Sequence, residues 1–493
     1  MSKNPNETLM PDANGGLRPT RMNSRLGLMM FLQYFVQGCY LPIASVYVEK
    51  TLGFSGLQIG LFGSALAVGP ILAPFVLGQI VDRLVPTQRV LAFCHVLAGL
   101  FMLALYAVAT FWDHSQGQVW TVIGLGAVYS VLYVSTMMLS NSLAFQHLKD
   151  RDRQFPIIRL FGTIGFVVPA YVIEFIVLRG LEGPQLHAAR GVAFLFAGIM
   201  GVVMGVYSLT LPDTPPQQRD NRKYAPAVVM RMMRLRHFFV LIVISFLIAM
   251  VHKFYFVWNS PFLRDVLDSG GVKGAYEQSI SSIGQICEVG VMAVLGFAIA
   301  RYGFKWTMLV GTIAYAVRCL MFAMVFGIDM EFAARMTLAC SGQALHGFCF
   351  GCFLAAGYMY VDRVAPKDVR GSMQTMYGTF VLALGFFFSG VASGWVGDVF
   401  TTKAGEVPFR QTLGVESTVG LVPTIDAKTN EVLFRDWPGI WLTCGILAVV
   451  CVIAFAALFP RGIPSEEGDE LAGDGLKKGS PQIGPLPKGE ETG

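Results

Sequence analysis

The chain has 493 residues, of which 54% are hydrophobic and 14% charged, with a net charge of +5 and a mean hydropathy of +0.56. Soluble domains carry about a quarter of their residues as charges, so this composition excludes a soluble enzyme or nucleic-acid-binding module and indicates an integral membrane protein. The first 25 residues are polar and lack an apolar core ending in small residues, so they do not read as a cleaved signal peptide.

Apolar runs of roughly 20 residues, the length a bilayer core requires, begin near residues 27, 57, 90, 118, 156, 189, 237, 278, 305, 333, 371 and 437. They predict an all-α membrane protein with twelve transmembrane helices. The polar stretch 212–236 separates a first six-helix bundle (27–211) from a second (237–459), with a short segment 1–26 before them and a polar, disordered tail at 460–493. About 24 of the 37 Lys and Arg residues fall on the side of the termini and the central loop, against about 10 on the other, which places both termini in the cytoplasm.

Polar residues within the spans carry the functional information. In span one, Gln33 and Gln37 share a face at i, i+4, placed either to meet a ligand or to join neighbouring helices. His95 in span three reads as structural. Span five opens with "FPIIRLFGTIGF" (155–166), where Pro156 marks a helix start. Arg159, Thr163 and Phe166 then put a cation, a hydroxyl and a ring on one face, with Gly162 and Gly165 interleaved for close helix approach. A guanidinium about 5 Å along a span either snorkels to the interface or needs a partner.

Lys253, in the aromatic-rich "VHKFYFVWNSPF" of span seven, is open to the same two readings. Span eight, "SSIGQICEVGVMAVLGFAIA", places Gln285 and Glu288 one turn apart, with Glu288 roughly 15 Å deep. A carboxyl at that depth must be protonated or find a cation or polar cargo. Taking up a proton on one side and releasing it on the other is what a proton-coupled carrier needs. A permanent pair with Arg159, Lys253 or Arg318 would only lock the helices, at little net gain. Arg318 in span nine reads as structural, and His346 in span ten, at i, i+4 from Phe350, as a ligand contact or proton relay. All nine cysteines lie in apolar stretches, and the C-x-x-C of Cys349 and Cys352 reads as packing.

The two halves echo each other. Span two ends "GQIVDRLVPTQR" and span eight ends "GFAIARYGFKW", each with a Gly followed five residues later by Arg. Such duplication marks transporters that rock two bundles around a midplane site. The G-x-x-x-D-R of the first copy, Gly78, Asp82 and Arg83, resembles the signature of the major facilitator superfamily; in the second copy Ala300 replaces the acid and Arg301 remains. The resemblance implies a conformational gate at these four residues, Gly78, Asp82, Arg83 and Arg301, on the cytoplasmic side.

"FLQYFVQGCYL", "FPIIRLFGTIGF", "GQICE" and "ARYGFKW" further resemble the bacterial nucleoside:H+ symporters, from about residue 27 to 459. That resemblance implies a nucleoside pocket of Arg159, Thr163, Phe166, Gln285 and Glu288, with Phe350 as a second stacking ring, Gln37, His346 and Lys253 nearby, and Glu288 as the proton-coupling group. The chain departs from the pattern at Gly351, where the resembling transporters carry an acid, and at Lys253, where a neutral polar residue is expected. The implied protein imports nucleosides or related polar molecules with protons, as a monomer in the lipid of the bacterial inner membrane. Neither a cofactor, a metal nor a nucleic acid is expected. A carrier of sugars or other solutes, as facilitator or exporter, is the alternative. A membrane sensor or enzyme is more remote, because H-E-x-x-H, G-x-S-x-G and G-x-x-x-x-G-K-[ST] are all absent from the sequence.

Overall fold

The computed structural model describes residues 21–72, 85–112, 115–148, 151–215, 235–365, 370–415 and 417–460. Gly78, Asp82 and Arg83 lie outside the described residues, as do most of the central loop and the tail from 461. Nine described helical segments are long and apolar enough to cross a membrane, and Gly56–Leu72 is a shorter apolar helix. The first half comprises α1 (Arg21–Tyr40), α2 (Ala44–Lys50), α3 (Gly56–Ala65), α4 (Thr87–Phe111), α5 (Gln116–His147), α6 (Arg151–Val172), α7 (Gly183–Ala189) and α8 (Val192–Ser208). The second comprises α9 (Arg236–Ser269), α10 (Glu277–Gly327), α11 (Phe332–Ala344), α12 (Ala356–Val364), α13 (Arg370–Gly378), α14 (Gly385–Val399) and α15 (Trp437–Leu458).

The great length of α10 comes from two helices joined at a kink, where Gly303 adopts φ 79°. Only glycine enters that region without a steric penalty, so the break falls between the two spans expected to begin at 278 and 305. Single π-helical turns, often found at functional sites, occur at Ile173–Val177, Cys349–Ala355 and Thr379–Leu384.

Helices in lipid gain nothing from hiding apolar surface from each other, so close packing of small residues and shared hydrogen bonds hold them together. Within the first half, α4 packs on α5 and α8, and α1 on α6 and α8. A Cβ at Gly38 would strike the Phe166 carbonyl, and one at Gly165 the Phe31 carbonyl. Helices α1 and α6 therefore touch backbone to backbone, which brings Tyr34 alongside Arg159. Gln33 resolves as interhelical glue: it donates to Thr136 Oγ1 at 2.8 Å, and its carbonyl oxygen takes Ser140 Oγ at 2.9 Å and His95 Nε2 at 2.8 Å.

In the second half α10 packs on α11 and α15, and α9 on α14 and α15. The halves meet through α3 on α14, α2 on α9 and α6 on α10. At the first of these, the backbones of Gly60, Gly390 and Gly394 are in contact.

The polar stretch 400–436 departs from the all-α expectation. It forms a three-stranded antiparallel sheet of β1 (Thr401–Lys403), β2 (Leu421–Ile425) and β3 (Val432–Asp436) in the order β1-β3-β2, with Thr401 and Val422 both opposite Arg435. Asp436 then accepts Gly439 N at 3.1 Å and caps α15, whose first turn contains Pro438. The sheet lies against the end of α2, remote from the start of α1.

Gly60→Val places a branched side chain where α14 backbone already lies. It should cost about 1–3 kcal/mol, read as a lower melting temperature of the purified protein. Gly124→Ala, where a Cβ meets nothing within 4 Å, should leave the melting temperature unchanged.

Candidate functional site

Arg159 projects from α6 towards α1, with its guanidinium carbon 4.1 Å from the centre of the Tyr34 ring, a cation–π contact. The helix begins at Arg151, ahead of Pro156, so Arg159 lies about 12 Å along it, although the apolar span itself starts at Ile157. Its helix packs on α10 of the other half, which carries Glu288. Thr163 and Phe166 follow on the same face, both half-buried.

Glu288 is 27% exposed, and its Oε2 lies 3.9 Å from His346 Nε2. Among the described residues it forms no salt bridge with Arg159, Lys253 or Arg318, which argues against a permanent internal lock. One turn before it, Gln285 joins Phe166, Tyr255, Phe256, Asn259 and Ser281 around a cavity of about 20 Å³. That space holds roughly one water, so the halves close on each other at this level. Beside it runs a chain of hydrogen bonds: Tyr255 OH donates to Gln343 Oε1 at 2.5 Å, Gln343 Nε2 to Asn259 Oδ1 at 2.7 Å, and Asn259 Nδ2 to Ser281 Oγ at 2.8 Å. Sequence reasoning missed these residues. The signal was present in Tyr255 and Asn259 at i, i+4, but the surrounding aromatic residues read as an interfacial belt.

The remaining expected residues fall in different places. Lys253 is only 7% exposed, midway along α9 and away from either helix end, so interfacial snorkelling is excluded. A Cβ built on Gly63 of α3 would lie 3.9 Å from its Nζ, and Lys253 is absent from the lining of the Gln285 cavity. Phe350 is half-buried in the π-turn, its ring centre 6.1 Å from that of His252. A side chain at Gly351 would have to displace Val291, whose Cγ1 lies 2.8 Å from where its Cβ would stand. Gln37 is half-buried one turn beyond Gln33. Arg301 is exposed, its guanidinium 6.0 Å from the Tyr302 ring centre.

Towards the sheet, charged side chains tie one half to the other. Glu277, at the start of α10, receives Arg190 at 2.6 Å and Arg264 at 3.2 Å, with all three groups almost wholly buried. Glu174, in the first π-turn, accepts Gln278 N at 2.5 Å and Ser279 N at 2.8 Å. A carboxylate from the first half thereby caps a helix of the second, where the helix dipole favours negative charge. Lys50 donates to Asp265 at 3.1 Å and to Thr424 of β2 at 2.5 Å. Arg435 of β3 meets Glu49 at 2.5 Å, and Trp437 Nε1 donates to Asp265 at 2.9 Å. None of these residues stood out in the sequence, because a charge at a span end is ordinarily solvated.

A bundle of apolar helices long enough to cross a membrane, tied by buried ion pairs at one end, fits a membrane carrier of the major facilitator type. The crystal structure of the nucleoside transporter NupG matches this fold with a TM-score of 0.71, over 89% of this chain and 99% of that one at 21% identity. The D-xylose-proton symporter structure matches at 0.64, over 89% and 98%, at 13% identity. The family model for the nucleoside H+ symporters spans residues 20–462, and the chain belongs to that family. Xanthosine permease of Escherichia coli K12 is 30% identical over 76% of this chain and 88% of its own length. Nucleoside permease NupG of the same organism is 24% identical over 88% and 95%. The protein is thus a multi-pass transporter of the bacterial inner membrane, with protons and a small molecule as its partners.

Glu277→Gln leaves two buried arginines short of their counter-charge and should destabilise the purified protein by about 3–5 kcal/mol. Lys273→Ala removes only an exposed pair with Glu182 and should cost less than about 1 kcal/mol. Thermal unfolding of the two variants in the same detergent measures the contrast.

Proposed function

We propose that this protein imports nucleosides together with protons by alternating access, and that the described conformation is closed to the outside. Twelve spans follow when α10 is counted as two at Gly303 and Gly56–Leu72 and α13–α14 are added. Both termini and the central loop are cytoplasmic, consistent with the Lys and Arg distribution, so the sheet faces outward. The gate of Gly78, Asp82, Arg83 and Arg301 belongs to the opposite end. The chain works as a monomer surrounded by lipid and catalyses no covalent chemistry.

The observation that carries this reading is that α6, which bears Arg159 and Phe166, packs on α10, which bears Gln285 and Glu288, with Phe166 and Gln285 lining one cavity and no salt bridge between Arg159 and Glu288. A ligand placed between them engages both halves at once, which is what couples binding to rocking. Ribose hydroxyls suit a guanidinium and a carboxylate, and a flat base suits stacking between Phe166 and Phe350. Thr163, Gln285 and Gln37 supply hydrogen bonds that fix its orientation. The family's description and the names of its nucleoside and xanthosine permeases support this cargo. Glu288, partly accessible and uncommitted to any cation, carries the proton. Each proton moving inward contributes about 2.3 kcal/mol per 100 mV, enough for roughly fifty-fold accumulation.

Glu288→Gln should abolish uphill nucleoside uptake in proteoliposomes with an imposed proton gradient, while exchange of labelled for unlabelled nucleoside continues. Undiminished accumulation would remove Glu288 from the coupling step. Arg159→Lys keeps the charge but loses the planar fork, and should weaken nucleoside binding about ten-fold or more in calorimetric titration. Unaltered affinity would place the cargo elsewhere.

A further inference from the structure

We propose that His346 is a positioning residue locked in one tautomer, which presents a fixed N–H to Glu288 and so sets the pH at which the carrier loads its proton, with Arg318 as the lock. The inference rests on the reading of Glu288 as the proton carrier. It assigns His346 a role distinct from the ligand contact or relay expected from sequence.

Arg318 is fully buried, and its Nη1 lies 3.1 Å from His346 Nδ1. A guanidinium can only donate, so Nδ1 must accept. The proton of the neutral ring therefore resides on Nε2, the nitrogen that faces Glu288 Oε2 from 3.9 Å. At that separation the interaction is electrostatic, and about 0.9 Å of approach would turn it into a hydrogen bond. His346 is 2% exposed, with no room to turn over. His252 stacks on it at 5.3 Å, Tyr255 lies at 5.3 Å, and Phe256 presents an edge at 5.8 Å. Neighbouring backbone is equally tight: a Cβ on Gly284 would come within 2.8 Å of His346 Cβ, and one on Gly347 within 2.7 Å of Glu288 N.

The charged and titratable surroundings can be named from each packed element. Around Glu288 these are His346 at 3.9 Å, Arg159 on α6, which packs against α10, and Tyr315 of α10 beyond the kink, which meets His252. His346 faces Glu288, Arg318, and His252 and Tyr255 of α9, and has Cys349 in its own segment. His252 is itself engaged, its Nδ1 2.7 Å from Tyr315 OH. Arg318 lies 4.2 Å and 5.2 Å from the ring centres of Tyr255 and Tyr315, and no carboxylate pairs with it among the described residues.

A second proton on His346 would have to displace Arg318 from Nδ1 and put a cation beside a guanidinium. His346 thus acts as a constant donor, and the transported proton stays with Glu288. An N–H aimed at a carboxylate favours its ionised form, so this donor eases proton release. Without it, Glu288 holds its proton more tightly and uptake persists to higher pH.

The test is the pH profile of proton-driven nucleoside uptake in proteoliposomes containing the full-length protein, its His346→Phe and His346→Gln variants, and Glu288→Gln. His346→Phe should move the alkaline limb of the profile upward by about one pH unit, a roughly ten-fold change in proton affinity. His346→Gln, whose amide can both accept from Arg318 and donate to Glu288, should reverse most of that shift. The infrared carboxyl band that disappears in Glu288→Gln should persist to higher pH in His346→Phe, a readout independent of transport. An unchanged profile and band in His346→Phe overturns the proposal. So does loss of uphill uptake with retained exchange in His346→Gln, which would make His346 a proton carrier. If the unaltered protein fails to exchange any nucleoside, the assignment of cargo falls, while the carboxyl band still tests the link between His346 and Glu288.

Discussion

An ionised side chain removed from water must find a partner, and in this chain the partners stand across the boundary between the two halves. Arg190 and Arg264 converge on Glu277, Arg435 meets Glu49, Lys50 meets Asp265, and the Glu174 carboxylate caps α10. Arg264 and Glu277 belong to one half, but every other contact in this set joins the first half to the second. Such pairs add little stability relative to apolar packing, because desolvation offsets the attraction. They are costly to break singly, however, and together they define one closed arrangement of the two halves. Opening that side means exposing the whole set to water, where each charge regains its hydration. A seal of this kind can be shut and released without passing through a state that leaves a bare charge in lipid.

The same constraint acts differently at the centre. Arg159 and Glu288 stand on the packed helices α6 and α10 yet form no direct pair, and Glu288 is only half-buried. Charges left uncommitted between moving bodies are available to a ligand and a proton. Arg318 is compensated only in part, by His346 and two tyrosine rings, its Nε and Nη2 having no hydrogen-bond partner, and Arg159 rests on Tyr34. The polar residues of the first half illustrate a third outcome, in which Gln33 bonds to His95, Thr136 and Ser140 and holds helices together.

The sheet between α14 and α15 adds a further part to the closed end. Its Arg435 and Thr424 reach the first half, while Trp437, directly after β3, holds Asp265 of α9. The short strands thereby bridge the two bodies that α3 and α14 bring together through glycine backbone.

Much of this was legible in the sequence, because the bilayer imposes its rules residue by residue. Length of apolar runs and the face shared by Arg159, Thr163 and Phe166 follow from helical periodicity and the cost of polar groups in lipid. Whether a given polar residue binds cargo, glues helices or sits idle depends on which helix stands opposite, and no local pattern encodes that. Gln33 and Gln37 look alike in sequence, yet only Gln33 meets Thr136 and His95. Lys253 is open between an interfacial anchor and a pocket residue in the sequence, and only the fold buries it beside α3; the His346 tautomer likewise depends on Arg318 approaching from another span. The sequence alone determined which side chains must leave water and how deep they lie; the tertiary structure alone decided who meets them there, because partners in a membrane come from neighbouring helices far apart along the chain.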